Sequence, residues 1–81
     1  MKGRRVLGET DIDTLKMRSL YAEALYKDPA ATLDDLREAV TTLEETEQTA
    51  RRVLGAAHPT TAAIERYLQE ARAALYARGL P

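Results

Sequence analysis

Arg51-Arg52-Val53-Leu54-Gly55-Ala56-Ala57-His58-Pro59-Thr60-Thr61 is the stretch that decides the fold. Its first five residues repeat Arg4-Arg5-Val6-Leu7-Gly8, which lie 47 positions earlier. Both copies end an apolar pair on glycine, the residue that accepts the left-handed backbone with which helices commonly stop. Pro59 suits the first turn of a helix, where a missing N–H goes unneeded. The stretch therefore reads as helix end, turn, helix start. The match runs on at the same offset: Thr14 with Thr61, Met17 with Ile64, Glu23 with Glu70 and Ala24 with Ala71. Self-similarity over such a distance is the mark of a stacked helical array, in which each unit covers the apolar face of its neighbour.

Working outward, three helices are expected, at about 12–27, 33–54 and 59–77, with a partial helix over 1–7. The first has Asp11 or Thr10 to cap it and Pro29 to stop it. Its apolar residues are Leu15, Met17, Leu20, Tyr21, Ala24 and Leu25, and the last four predict the buried stripe. Thr32 caps the second helix, with Asp35 placed for a capping box. Its apolar seam runs through Leu33, Leu36, Val40, Leu43, Ala50 and Leu54. Glu47 interrupts that seam, within a polar stretch over 41–49 expected to be solvated; the sharper alternative pairs Glu47 with an arginine of a neighbour. The third helix carries Ala63, Ile64, Tyr67, Leu68, Ala71, Ala74 and Leu75. No strand pattern occurs, and the short loops favour antiparallel neighbours.

Composition narrows the function. The chain has 81 residues, 12 basic and 13 acidic, with one histidine, four tyrosines and no cysteine, tryptophan or phenylalanine. One small domain is the most it can form. Disulfides and cysteine metal sites are excluded. A near-neutral charge lacks the electrostatic footprint of a nucleic-acid binder, and no apolar run approaches the ~20 residues of a membrane span. The amino-terminal residues hold no apolar segment of signal-peptide length. A cytoplasmic protein that engages neither nucleic acid nor membrane is the expectation.

No chemistry-bearing motif stands out. His58 has no second histidine or cysteine to share a metal or a proton with, and is read as a turn residue that caps the third helix or contacts the preceding one. Asp34-Asp35 and Glu44-Glu45 are neighbours that point about 100° apart on a helix and do not converge; near a helix start, acidic residues complement the dipole. Arg4-Arg5 and Arg51-Arg52 complement it at the other end, and could also form a basic strip facing an acidic partner. Tyr21, Tyr26, Tyr67 and Tyr76 are expected to be core or half-buried. With no phosphate loop, nucleophile elbow or zinc signature, the expectation is a non-enzyme, with no catalytic, cofactor or metal site.

The segment from Arg51 to Thr61 closely resembles the inter-repeat turn of kinesin light chain-type tetratricopeptide repeats. In that family a basic helix end runs into Leu-Gly, two variable residues, His-Pro, one variable residue and Thr. Leu54, Gly55, His58, Pro59 and Thr61 hold those positions here. The first copy keeps Leu7, Gly8 and Thr14 but has Asp11-Ile12 for His-Pro, and Leu20-Tyr21-Ala22-Glu23-Ala24-Leu25-Tyr26 is similar to the family's first repeat helix. The family repeat is shorter, so extra residues are expected around Asp28-Pro29-Ala30-Ala31. The resemblance implies an all-α chain of antiparallel helical hairpins, a fragment of a tetratricopeptide-like α-solenoid. First helices of such repeats line a concave face. There it implies partner contacts at Lys16, Ser19, Leu20 and Glu23, and at Arg66, Tyr67 and Glu70.

Family members often carry asparagine where Ser19, Leu20, Arg66 and Tyr67 stand here. Apolar Leu20 and Tyr67 point instead to an apolar partner or to self-association. The expected function is thus a non-enzymatic protein–protein interaction module or self-assembling repeat scaffold. Its partners would be a protein, a peptide or other copies of itself. Such solenoids usually need about three repeats to bury a continuous core. A seam left open at the N-terminal stub and another on the third helix would then favour homo-oligomers by end-to-end stacking or helix exchange. The alternative is a small helical-bundle dimerisation or regulatory domain.

Overall fold

The computed structural model describes residues 11–79. The partial helix expected over 1–7 lies outside the described residues. Three helices follow in order: α1 Ile12–Lys27, α2 Leu33–Val53 and α3 Pro59–Gly79. No strand occurs among the described residues, and no helix is long and apolar enough to cross a membrane.

Each helix begins where its cap dictates. The Asp11 carboxylate accepts the Asp13 N–H at 2.9 Å. Thr32 and Asp35 form a full capping box: the Thr32 hydroxyl accepts from Asp35 N and the Asp35 carboxylate from Thr32 N, both at 3.1 Å. These bonds satisfy amide donors that the first turn leaves without a carbonyl. His58 does the same for α3, its Nδ1 accepting the Thr60 N–H at 3.0 Å. The end of α2 is set by Gly55, which sits at φ +94° and donates to the carbonyls of Ala50 and Arg51. Between α1 and α2, Asp28 closes a tight turn by accepting from Ala30 N at 2.9 Å.

The middle helix packs against both others, and α1 touches α3 over a smaller area. Direction follows from the paired residues. Leu33 lies against Gly79, Glu44 meets Arg72 and Arg51 meets Glu65, so α2 and α3 are antiparallel. Lys16 and Ser19 neighbour Thr60 and Ala63, while Tyr26 reaches Glu70 further on, so α1 and α3 run parallel. The molecule measures 51 × 28 × 14 Å, between one and two helix diameters thick. A body this thin leaves every helix a wide face towards solvent.

The core stripe of α1 is not the expected one. Leu15, Ser19, Ala22 and Tyr26 are buried, whereas Met17, Leu20 and Tyr21 are 64%, 56% and 51% exposed and Ala24 is also exposed. Apolar residues occupy both faces of this helix, so periodicity alone selects neither. α2 buries Leu36, Ala39, Leu43, Thr46 and Ala50, a strict alternation of three- and four-residue steps. The small Ala39 and Thr46 fill places the sequence reading gave to Val40 and Glu47. Thr46 tolerates full burial because its hydroxyl donates to the Thr42 carbonyl at 2.6 Å. Glu47 lies just off the seam and pairs with Arg51 of its own helix. On α3, Ile64, Leu68 and Ala71 are buried as expected, together with Thr61. Of the tyrosines, Tyr26 is buried and Tyr67 half-buried, while Tyr21 and Tyr76 are exposed, contrary to expectation.

Candidate functional site

Because α1 and α3 run parallel on the same side of α2, their facing edges leave a groove between them. It is lined by Lys16, Ser19 and Leu20 from α1 and by Thr60, Ala63 and Tyr67 from α3, with a volume of about 220 Å³. Residues 60, 63 and 67 fall one turn apart, so a single edge of α3 faces the opening. The mouth has one cation, Lys16, and two large apolar groups, Leu20 and the Tyr67 ring. Ser19 is buried at the floor, and its hydroxyl donates to the Lys16 carbonyl at 2.8 Å.

Four of the seven residues singled out from sequence, Lys16, Ser19, Leu20 and Tyr67, therefore meet in one groove. The other three serve its surroundings. Glu23 holds Lys27 at 2.9 Å, one turn along α1. Glu70 accepts the Tyr26 hydroxyl at 2.5 Å and ties the two helices together beyond the groove. The Arg66 guanidinium stacks 5.6 Å from the centre of the Tyr67 ring, a cation–π contact on the outer side. Thr60 and Ala63 were not singled out, although their spacing from Tyr67 carries the helical signal that would have found them.

Around the groove, electrostatics favour neutral Tyr26 and Tyr21 and a charged Lys27. Burial, then the hydrogen bond to Glu70, pushes the Tyr26 hydroxyl well above the ordinary tyrosine range. The hydrogen bond to Glu38 raises Tyr21. Glu23 raises Lys27.

A wider cleft of about 400 Å³ opens between α2 and α3, lined by Arg37, Arg72, Leu75, Tyr76 and Gly79. Both of its arginines are engaged, Arg37 with Asp34 at 3.4 Å and Arg72 with Glu44 at 3.0 Å. Of the other residues weighed from sequence, Arg4-Arg5 lie outside the described residues, and three act at helix ends or in ion pairs. Asp35 completes the α2 capping box, His58 caps α3 and Arg51 bridges Glu47 and Glu65. The described residues bring no three histidine or acidic side chains into a metal-binding group.

The chain matches no protein-family model, no curated protein sequence and no solved structure.

Proposed function

We propose that this chain is a non-enzymatic protein–protein interaction module built on the plan of a tetratricopeptide-type α-solenoid. α1 and α2 would form one repeat and α3 the first helix of the next. The parallel placement of α1 and α3 on α2, 47 residues apart in sequence, is the observation that carries this reading. It is the relationship that successive first helices of a solenoid have to one another. On this plan the groove between α1 and α3 is a stretch of concave surface, and Lys16, Leu20, Thr60 and Tyr67 meet the partner.

The chemistry of the groove suggests what it takes. Two apolar walls and one cation fit a segment with an apolar side chain beside a carboxylate or a chain terminus. Among the described residues no carboxylate forms an ion pair with the Lys16 ammonium. Panning a peptide library against the protein tests the reading, with Tyr67→Asn and Lys16→Glu variants as controls. Selected peptides should share an apolar–acidic pattern and should lose binding to both variants. A library that yields no peptide dependent on Tyr67 would refute the groove as the site.

The second reading, a dimerisation domain, is favoured by the exposed Met17, Leu20 and Tyr21 on α1. Self-association through that face would appear as concentration-dependent mass in size-exclusion chromatography with light scattering. The outer face of α3 is less suited to stacking. Ala62, Arg66, Gln69 and Ala73 there are exposed, where the corresponding α1 residues Leu15, Ser19, Ala22 and Tyr26 are buried. Arg66 and Gln69 make that face more polar than the outer face of α1, which exposes Met17 and Tyr21.

A further inference from the structure

The two walls of the α1–α3 groove run in the same direction, and its two ends differ in charge. α3 begins at Pro59, and its first turn brings Thr60 to the end where Lys16 stands. The positive end of the helix dipole favours an anion there. Lys16 is exposed and adds to that field, with no carboxylate paired to it among the described residues. At the other end α1 stops at Lys27. Glu23 holds the Lys27 ammonium at 2.9 Å, and Glu70 stabilises it from α3. Two carboxylates against one ammonium leave that end net negative. Glu70 is exposed, and its Oε1 accepts from the neutral Tyr26 hydroxyl, which cancels none of its charge. Leu20 and the Tyr67 ring lie between the two ends.

Spacing sets the length of what fits. From Lys16 to Glu23 along α1 is about 10 Å, and from Thr60 to Glu70 along α3 about 15 Å. An extended chain covers that distance in about four residues, and its residues i, i+2 and i+4 point to one side. Resting on the interaction reading and deepening it, we propose that the groove takes an extended peptide segment in which an apolar residue is flanked, two positions to either side, by one acidic and one basic residue. The acidic side chain meets Lys16 and the start of α3. The apolar one settles between Leu20 and Tyr67, and the basic one meets Glu70 and Glu23. The opposite charges also fix the heading of the segment, since turning it round would set acid on Glu70 and base on Lys16.

The test is a display library of peptides with a central leucine and with aspartate, asparagine or lysine two positions to either side. Sequencing before and after selection on the full chain reads the enrichment of each class. Peptides with one aspartate and one lysine, in one of the two orders, should be enriched about 2–5-fold over those with asparagine at both positions, the range expected of exposed ion pairs. Like-charged peptides should gain nothing, because attraction at one end is offset by repulsion at the other. Lys16→Glu makes both ends acidic and should shift the advantage to peptides with lysine at both positions. Glu70→Gln keeps an acceptor for the Tyr26 hydroxyl and removes the charge, so the preference for lysine should shrink while that for aspartate stays. Enrichment that Tyr67→Asn abolishes but that ignores charge, or whose charge preference is the same in either charge variant as in the parent, would overturn the proposal and leave the groove as an interaction site. No enrichment dependent on Tyr67 would overturn the interaction reading along with it.

Discussion

The Tyr26 hydroxyl donates to Glu70 Oε1 at 2.5 Å, joining the end of α1 to α3 across 44 residues of sequence. This is a polar clasp between two helices whose apolar contact is small. It fixes how far the groove between them opens, since both residues lie just beyond Leu20 and Tyr67. The same bond makes the clasp sensitive to alkali.

Stability should fall above about pH 10, the ordinary tyrosine range. The folded state holds Tyr26 neutral beyond the pH at which the unfolded chain loses its proton. A group with its folded pKa raised contributes stability below the unfolded pKa and loses it as pH climbs through the folded one. Lys27 and Tyr21, also raised, add in the same direction. Tyr26→Phe should cost about 1 kcal/mol at neutral pH through the lost hydrogen bond. Urea midpoints between pH 8 and pH 11 should then fall less steeply for the variant than for the parent.

Leu43→Ala should be among the most damaging single changes. Leu43 is fully buried at the centre of the α2 seam. Truncation there removes about 2–5 kcal/mol, a large share of what a domain this small has. Circular dichroism should show an unfolded or barely folded chain. Met17→Ala, on the exposed face of α1, should leave the monomer within about 0.5 kcal/mol of the parent.

Thr61→Val should stabilise the fold. The Thr61 hydroxyl is fully buried with no partner among the described residues, and valine replaces it with a methyl of similar shape. Relief of that desolvation is worth about 1 kcal/mol. Thr46→Val should gain less, because its hydroxyl already donates to Thr42. A higher urea midpoint with an unchanged slope would mark the expected result.

Gly55→Ala should destabilise by about 1 kcal/mol. Nothing lies within 4 Å of the added Cβ, so the loss is purely that of an L-residue held at φ +94°. Differential scanning calorimetry should record a lower Tm. Thr32→Ala should lower it by a similar amount through loss of the capping box.

The helix ends were legible in the sequence because they are local. Asp11, Thr32, His58-Pro59 and Gly55 act on backbone groups within a turn of themselves, and each sits where its chemistry requires. The α3 stripe was legible because Ile64, Leu68 and Ala71, its large and small apolar residues, recur at three- and four-residue steps. On α1 that contrast is missing. Met17, Leu20 and Tyr21 compete with Leu15, Ala22 and Tyr26, and only contact with α2 and α3 chose the second set. On α2 the small Ala39 and Thr46 won over Val40, since close approach of two helices favours little side chains with a satisfied hydroxyl.

The groove divides in the same way. Lys16, Ser19, Leu20 and Tyr67 were within reach of sequence reading, because a 47-residue offset sets them on corresponding helix faces. Glu23, Arg66 and Glu70 were assigned to that surface with equal reason. Tertiary structure gave them other tasks, holding Lys27, stacking on Tyr67 and receiving Tyr26. What the sequence determined alone is where each helix starts and where α1 and α2 stop, an outcome of hydrogen bonds between near neighbours; α3 runs on to Gly79, past the expected end at 77. Which face of each helix meets which neighbour, and so which side chains share a groove, depended on packing between residues 14 to 47 positions apart. No local pattern encodes that choice when both faces of a helix are apolar.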